Sequence, residues 1–428
     1  MTIAVALFLL ALALLGAPLF AVIGASALIG FYRADIDLSV VAIEVYRLAE
    51  MPVLLAIPLF TFAGYLLGES KAPQRLVRVT DAMLGWMPGG LAIVALTACA
   101  FFTALTGASG VTIVALGALL YPALKQAHYP ERFNLGLITT SGSLGLLFAP
   151  SLPLILYGIV AQQLNVGTPI SIDDLFLAGV LPGLAMLLLL SMYAAWQSRH
   201  LPQTIKPFDG RAAAAALWES KWEIPLPFII LGGIYSGYFA VSEAAAVTAL
   251  YVFVVEVLIL REIRFANLPK VMRESMQLVG GILVILGLSL ASTNLMIDAE
   301  IPQKLFAIIR EHVDSKWTFL LLLNGFLLIL GMMLDIFAAL VIVVPIILPI
   351  AVGYGIHPLH LGIVFLANMQ IGYFTPPVGM NLFIASYRFN RPVMELYRAT
   401  LPFFFILLTA VLIITYWPAL TLWLPGAQ

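Results

Sequence analysis

The sequence predicts an all-α polytopic membrane protein built from two inverted repeats, each with a re-entrant helical hairpin and a broken helix. Three observations predict it: an apolar composition, long uncharged windows, and an ordered set of helix-breaking motifs in both halves. Of the 428 residues, 62% are hydrophobic and only 10% are charged, whereas about a quarter of an ordinary soluble domain is charged. The bilayer is therefore the expected solvent.

The uncharged windows have the length of transmembrane helices. About a dozen hydrophobic segments are present, and about 20 apolar residues span the hydrocarbon core. The first segment, 2–31, lacks a basic leading region and is about twice as long as a signal-peptide core. We therefore expect a retained first transmembrane helix. Three stretches are too charged to span and are predicted to lie along the interface: 37–50, 70–85 and 298–316.

Several function classes are disfavoured by composition and motif content. The formal net charge is −1, so nothing favours a nucleic-acid partner. The single cysteine, Cys99, cannot form an intramolecular disulfide and makes a cysteine-based metal site improbable. The His-Glu-x-x-His, Gly-x-Ser-x-Gly and Walker A motifs are absent from the sequence. We therefore expect neither an enzyme nor an organic cofactor.

The same unusual features recur in the same order in the two halves. Pro73-Gln74-Arg75 resembles Pro302-Gln303-Lys304, and an apolar run ending in a break follows each. A second apolar arm then leads to a helix interrupted by glycine and proline, at 145–153 and at 372–379. Paired features are offset by 224 residues (Gly107 to Gly331) to 229 residues (Pro73 to Pro302). Four ordered breaks predict an inverted repeat and alternating access, which argues against a channel.

Each predicted break frees backbone carbonyl and amide groups at a depth where water cannot satisfy them. Carbonyls at a helix C-terminus, together with nearby hydroxyls, suit Na⁺, and helix N-termini suit an anion. The first half is predicted to hold Na⁺ with Thr106, Ser109, Gly145, Phe148 and Pro150. The second is predicted to hold Na⁺ with Gly331, Gly372, Thr375 and Val378. The alternative is that these glycines and prolines only ease packing or kink the helices, but the four breaks together favour the ion sites.

Two carboxylates inside apolar segments stand out. Asp335 lies at the predicted tip of the second hairpin, where a charge is costly and usually functional. It could instead only cap the helix that follows; we favour a functional role. Glu243 fits the first turn of a helix, where a carboxylate is favoured, and we favour that structural interpretation. Asn381, beside the break at Pro376-Pro377, is a further candidate for substrate contact.

At these motifs the chain resembles the large membrane subunit of the TRAP (tripartite ATP-independent periplasmic) transporters. The blocks that carry the resemblance cover both halves: 101–110, 142–145, 150–153, 232–237, 243–245, 331–335 and 375–383. Two positions depart from the family pattern. The first tip reads Gly107-Ala108-Ser109-Gly110 where a serine-richer run is usual, and Ala149 stands where proline is common. The ligand geometry of the first Na⁺ site is therefore less well defined than that of the second.

The resemblance implies a multi-pass transporter of a bacterial or archaeal inner membrane, driven by a Na⁺ gradient and working as an elevator in the lipid bilayer. It also implies a small four-helix membrane subunit and a periplasmic binding protein that delivers an organic acid, a carboxylate or sulfonate. Substrate contacts are predicted from Ser109, Ser143, Ser151, Asp335 and Asn381. The rival interpretation is a stand-alone Na⁺/dicarboxylate symporter of similar architecture.

The same reasoning divides the chain into five parts. We expect N-terminal scaffold helices with an interfacial arm at 1–88, and a first transport repeat at 89–197. A central connector with scaffold helices and a second arm is expected at 198–316. A second transport repeat is expected at 317–390, and a C-terminal helix at 391–428.

Overall fold

A computed structural model describes residues 8–9, 11–12, 17–200 and 208–426. Within these ranges the chain forms helices and no strands. The helices of the first half are α1 Leu19–Arg33, α2 Ser39–Ala49, α3 Ala56–Glu69, α4 Ala72–Leu84, α5 Gly90–Thr106, α6 Ser109–Gln126, α7 Glu131–Ser141, α8 Leu152–Leu164 and α9 Ile172–Gln197. Those of the second half are α10 Gly210–Glu219, α11 Pro225–Tyr235, α12 Val241–Phe253, α13 Leu268–Asp298, α14 Ile301–His312, α15 Lys316–Met333, α16 Ile336–Gly353, α17 Pro358–Gly372, α18 Met380–Phe389, α19 Val393–Tyr416 and α20 Ala419–Leu422.

Irregular helical segments mark several of the junctions. Short 3-10 helices cover Pro52–Leu55, Leu144–Leu147 and Ser198–His200. A π-helix, Val254–Ile259, continues α12. The predicted interfacial stretches form separate helices, α2, α4 and α14.

Seven helices of the described chain are long and apolar enough to cross a membrane, and one bent pair makes an eighth candidate. They are Pro52–Glu69, Ile172–Gln197, Val241–Ile259, Leu268–Asp298, Lys316–Met333, Ile336–Gly353 and Val393–Tyr416. This confirms an all-α polytopic membrane protein. The predicted first span, 2–31, falls partly outside the described residues, so its retention stays a prediction, as do the five domain boundaries.

Both predicted hairpins are present as helical pairs with sharp breaks. Helices α5 and α6 form hairpin 1, whose tip turns at Gly107 with a φ of 67°. The hydroxyls of Thr103 and Thr112 lie 2.6 Å apart across its arms. Helices α15 and α16 form hairpin 2, and its open ends meet where Lys316 Nζ donates to the carbonyl of Gly355 at 3.1 Å. The two arms of hairpin 1 are therefore joined near their tip, and those of hairpin 2 are joined at their open ends.

Both predicted broken helices are also present. The first broken helix consists of α7, the 3-10 segment Leu144–Leu147 and α8, with a bend of 41°. The second broken helix consists of α17 and α18, separated by residues 373–379. Each break contains a cis X–Pro peptide bond, at Ala149-Pro150 and at Pro376-Pro377.

Helix termini define the register of the repeat more closely than the sequence does. Helices α5 and α15 end at Thr106 and Met333, and α6 and α16 begin at Ser109 and Ile336; both pairs differ by 227 (333 − 106 and 336 − 109). The predicted pairing of Gly107 with Gly331 is therefore wrong by three residues. It matched the nearest glycines of two apolar runs, whereas the structural equivalent of Gly107 is Leu334. Asp335 is thus equivalent to Ala108.

Glu243 has the structural role that the sequence favours. Glu243 lies in the first turn of α12, and its Oε2 accepts a hydrogen bond from the backbone N–H of Ala240 at 2.9 Å. This carboxylate caps a helix N-terminus, where the exposed N–H groups favour negative charge.

Backbone segments pack directly against each other where hairpin 2 meets the second broken helix. A Cβ added to Gly372 would lie 2.4 Å from the carbonyl carbon of Gly331. In the first half, a Cβ on Gly145, the equivalent of Gly372, would lie 2.5 Å from the nitrogen of Ala104. Only glycine permits these approaches, because the facing atoms belong to backbone and cannot rotate away.

We expect Gly372→Ala to destabilise the chain, because the added methyl group overlaps rigid backbone and overpacking costs about 1–3 kcal/mol or more. Thermal unfolding of the purified protein in detergent measures the effect. Gly325→Ala, in hairpin 2, is the matched control, since a Cβ there meets nothing within 4 Å. Equal melting temperatures for the two variants would show that the Gly331–Gly372 approach is not a constraint.

Candidate functional site

A cavity of about 620 Å³ lies where the tips of the two hairpins meet. Its walls are built from residues that the 227-residue offset relates to one another, namely Ala108 with Asp335, Ser109 with Ile336, Gly110 with Phe337 and Leu146 with Tyr373. The cavity therefore lies at the junction of the two repeats.

Scaffold helices close the other side of the cavity. Helix α3 contributes Tyr65, Gly68 and Glu69, and α13 contributes Glu274 and Leu278. The tip of hairpin 1 also backs onto α3, because a Cβ on Gly64 would lie 2.5 Å from the Cα of Thr106. The cavity is thus bounded by hairpin tips on one side and by continuous helices on the other.

Asp335 lines this cavity and makes two hydrogen bonds with its carboxylate. Oδ2 accepts from the backbone N–H of Phe337 at 3.0 Å, which caps helix α16. Oδ1 accepts from the hydroxyl of Tyr373 at 2.8 Å, and that hydroxyl oxygen accepts from the N–H of Ile336 at 3.0 Å. The capping role is confirmed, and the functional role stays a prediction. Sequence reasoning missed Tyr373, because nothing distinguishes one tyrosine within an apolar run.

Ser109 lines the cavity from hairpin 1 and is bonded to the second broken helix. Its hydroxyl donates to Oδ1 of Asn381 at 2.8 Å. Asn381 is fully buried, and its backbone N–H donates to the carbonyl of Tyr373 at 2.8 Å. The side chain of Asn381 thus supports the cavity wall from behind, with Ser109 between it and the open space.

The residues of the first predicted Na⁺ site lie around the contact between hairpin 1 and the first broken helix. Gly107 packs against the side chain of Leu152, and Gly145 packs against the backbone of α5. The hydroxyl of Thr106 donates to the carbonyl of Phe102 at 2.9 Å. The N–H of Phe148 donates to the carbonyl of Gly145 at 3.1 Å. The tip and the break are therefore neighbours, and the Na⁺ site between them stays a prediction.

The residues of the second predicted site are arranged in the same way. Gly331 and Gly372 are in contact, and the N–H of Gly379 donates to the carbonyl of Met332 at 3.0 Å. The hydroxyl of Thr375 donates to the carbonyl of Ile371 at 2.7 Å. Because the side chain of Val378 is apolar, only its backbone carbonyl could bind an ion in this break.

Two of the predicted substrate contacts lie away from the cavity. Ser151 is fully buried and donates to the carbonyl of Leu146 at 2.6 Å, closing the first break. Ser143 is fully buried between the broken helices and donates to the carbonyl of Gln370 at 3.1 Å. Substrate contact by these two serines has no support from this geometry and stays a prediction, as it does for Asn381.

A family model described as tripartite ATP-independent periplasmic transporter, DctM component, matches residues 3–420. The chain belongs to this TRAP transporter family. Family membership confirms the resemblance found in the motifs and, with the apolar helices, a multi-pass protein of the inner membrane. The chain is thus a TRAP transporter permease component, and the relatives described next are named as permease proteins.

Three relatives illustrate the range of the family. The chain is 37% identical over 387 residues to the C4-dicarboxylate TRAP transporter large permease protein DctM of Pseudomonas aeruginosa, covering 90% of this chain and 89% of that one. It is 33% identical to the isethionate TRAP transporter permease protein DctMQ of Oleidesulfovibrio alaskensis, covering 96% of this chain and 64% of that longer protein. It is 31% identical to the ectoine/5-hydroxyectoine TRAP transporter large permease protein UehC of Ruegeria pomeroyi, covering 98% and 97%.

A solved structure shares the architecture of this TRAP permease. The crystal structure of the Alcanivorax borkumensis YdaH transporter superposes with a TM-score of 0.63, covering 89% of this chain and 87% of that one. Sequence identity is 14%, so the likeness concerns the fold alone.

The Ser109–Asn381 hydrogen bond should tie hairpin 1 to the second broken helix. We expect Ser109→Ala and Asn381→Leu each to lower the melting temperature, because each leaves a buried polar partner unpaired at a cost of about 1–3 kcal/mol. Leucine is the residue at the repeat-related position 154. The double variant should lose less than the sum of the two single losses.

The measurement is a double-mutant cycle on thermal unfolding, which isolates the pairwise interaction. Thr409→Ala is the control partner for Ser109→Ala, because Thr409 is exposed and bonded only within its own helix. Strict additivity between Ser109→Ala and Asn381→Leu, equal to that of the control pair, would contradict the prediction.

Proposed function

We propose that this chain is the permease of a Na⁺-coupled TRAP transporter that imports a small organic acid, a carboxylate or sulfonate, delivered by a periplasmic binding protein. The observation that carries the proposal is the cavity between the two hairpin tips, with a helix break beside each tip. The broken helices supply groups for an anion and for cations at one place.

The charges around the cavity support the coupling of the anion to cations. Three carboxylates line it, from Glu69, Glu274 and Asp335, and no basic side chain is among the described residues of its lining. Lys270 approaches only Glu274, at 3.8 Å. An organic anion entering alone would therefore meet charges of its own sign, and bound Na⁺ would offset this repulsion.

The hydroxyls of the proposed Na⁺ sites are oriented suitably for a cation. Thr106, Ser109 and Thr375 each donate their proton to a protein oxygen. A hydroxyl that donates its proton elsewhere keeps its lone pairs for other partners. We propose that these oxygens, with carbonyls of Gly145, Phe148, Gly331, Gly372 and Val378, hold the two ions, and that Pro150 keeps the first break open.

The anion itself is proposed to bind at the tip of hairpin 1. The N-terminus of α16 is already capped by the carboxylate of Asp335. The N-terminus of α6 has no side-chain cap, because the residue at its N-cap position is Ala108, the equivalent of Asp335. Ser109 and Gly110, the first two residues of α6, line the cavity, and helix N-termini bind carboxylates and similar anions well.

Transport is proposed to follow an elevator mechanism with two partners. The hairpins and broken helices would move as a unit along the scaffold helices that close the cavity, α3 and α13. The names of the relatives support the partners: several are called large permease proteins, which implies a small one, and one is called DctMQ. A small four-helix subunit would extend the scaffold.

Reconstituted with its partners in liposomes, the protein should accumulate substrate only under an inward Na⁺ gradient. C4-dicarboxylates and isethionate are the first substrates to test, because relatives carry those names. Uptake of radiolabelled substrate is compared in Na⁺, K⁺ and choline media, the last two with a proton gradient. Equal uptake in all three media would contradict the proposed Na⁺ coupling.

The same preparation tests the delivery protein. Uptake at micromolar substrate should require the purified periplasmic binding protein, and free substrate alone should not be transported. Full-rate uptake without the binding protein, but still with Na⁺, would favour the stand-alone symporter. The two experiments therefore test the coupling ion and the mode of substrate delivery independently.

Asp335→Asn should reduce uptake by about tenfold or more, equivalent to about 1.4 kcal/mol. Asparagine caps a helix as well as aspartate does. Its amide nitrogen replaces the oxygen that accepts from Tyr373 and can donate to the tyrosine hydroxyl instead, so the variant removes the charge beside the cavity and reverses the direction of this one hydrogen bond. Asp335→Ala should transport no better and should also be less stable, because the cap is lost. Asp298→Asn, at the exposed end of α13, is the control. Near-normal uptake by Asp335→Asn at equal expression would assign Asp335 a purely structural role.

A further inference from the structure

A buried charge cluster lies where the interfacial helix α4 meets the scaffold, and none of its members lines the cavity. Arg75 of α4 is paired with three glutamates from separate segments: Glu223 before α11, Glu256 in the π-helix, and Glu262 in the loop that follows. The side chain of Arg75 is only 8% exposed, and that of Glu256 is 1% exposed. We call these four residues the Arg75 cluster.

The three carboxylates converge on one guanidinium group. Nε of Arg75 donates to Oε1 of Glu223 at 2.6 Å, and Nη1 donates to Oε1 of Glu262 at 2.6 Å. Nη2 is shared, because it approaches Oε1 of Glu223 and also donates to Oε1 of Glu256 at 3.2 Å. Because the guanidinium occupies the point of convergence, a metal ion would have to displace it.

The charges of the Arg75 cluster do not balance. Three ionised glutamates and one arginine would leave two negative charges in a largely desolvated place, where an unpaired charge is costly. Glu262 has partners enough to be ionised, since it also accepts from the backbone N–H of Lys71 at 2.7 Å. Glu223 does not, because its Oε2 is buried and has no hydrogen-bond partner.

We propose that Glu223 and Glu256 together hold one proton at neutral pH, and that this proton fastens helix α4 to the scaffold. A carboxyl group that carries the proton stops repelling its neighbour, so both can stay on Arg75. Loss of the proton places three negative charges around one guanidinium and loosens the attachment. Because α4 leads directly into hairpin 1, the Arg75 cluster is a proton-dependent link between scaffold and hairpin.

The electrostatics of the groups outside the membrane agree with this division of roles. Burial raises the pKa of Glu223, although Arg75 opposes the rise. For Glu262, burial alone would raise the pKa, but hydrogen bonds from Arg75 and from the N–H of Lys71 bring it below the usual value. Lys71, Ser70 and Tyr251 also interact with the glutamates of the cluster, and the Arg78–Glu219 pair, formed by the neighbouring part of α4, is exposed.

The second half of the chain lacks an equivalent cluster at the repeat-related position. Lys304 of α14 aligns with Arg75 in the motif Pro302-Gln303-Lys304, but it is exposed and donates to the carbonyl of Ala299 at 2.8 Å. A buried link between arm and scaffold is therefore not a requirement of the repeated architecture. This asymmetry argues that the Arg75 cluster has a role of its own.

Infrared spectroscopy of the purified full-length protein tests for the proton directly. At neutral pH the wild type should show the carbonyl band of a protonated carboxyl group. This band should be absent from the spectrum of Glu223→Gln, of Glu256→Gln, or of both variants. The same band should vanish at alkaline pH and should not depend on Na⁺. Glu219→Gln is the matched control and should keep the band. It breaks an exposed ion pair with Arg78, which lies on α4 like Arg75.

Thermal unfolding against pH gives a second, independent measurement. A glutamate in the unfolded chain has a pKa of about 4.3, so the folded protein binds more protons than the unfolded one at neutral pH. Stability therefore falls as the pH rises through the pKa of the pair. This fall should be present in the wild type and in Glu219→Gln, and reduced in the glutamine variants of the pair.

Glutamine imitates a protonated glutamate, so at least one of the two single variants should fold with wild-type stability at neutral pH. The proposal is overturned if neither variant loses an infrared band, or if Na⁺ removes the band. It is also overturned if both variants fail to fold, because that outcome requires both glutamates to be ionised. None of these results bears on Na⁺-coupled uptake, which is tested separately.

Discussion

The structure depends on one constraint, which is that polar backbone groups inside a bilayer must find partners within the protein. Four interruptions of helices would each expose such groups. The chain meets the constraint by placing each hairpin tip against the break of a neighbouring helix, with glycine at the contact. The N–H of Gly379 donates to the carbonyl of Met332 across such a contact, and within the first break the hydroxyl of Ser151 donates to the carbonyl of Leu146.

The repeat is regular in its backbone and irregular in its chemistry. Three of the four helix ends of the hairpins are offset by 227 residues and the fourth by 226 (316 − 90), yet several polar residues of the second half correspond to apolar residues of the first. Asp335 corresponds to Ala108, Tyr373 to Leu146 and Asn381 to Leu154. One tip therefore presents a carboxylate and the other presents uncapped N–H groups. A symmetric backbone frame thus surrounds a chemically asymmetric cavity.

Sequence reasoning could predict the breaks, because glycine and proline clustered within an apolar run disfavour a continuous helix at membrane depth. It could also find Asp335, since a single charge in such a run is costly. The register failed by three residues at Gly331, because apolar helices offer few distinctive side chains to align. The Arg75 cluster was not foreseen either. Its four members lie in segments far apart in sequence, and each taken alone resembles an ordinary charge near the membrane surface.

The hydrogen bond between Ser143 and the carbonyl of Gln370 joins two positions that the repeat makes equivalent (370 − 143 = 227). A bond between equivalent positions lies where the two halves cross, so it directly links the two broken helices. Displacement of one break is then transmitted to the other. If each break holds a Na⁺ ion, occupation of one site changes the affinity of the other, and by the same factor in both directions. Positive coupling would make the uptake rate rise more steeply than in proportion to the Na⁺ concentration, and negative coupling would flatten that rise.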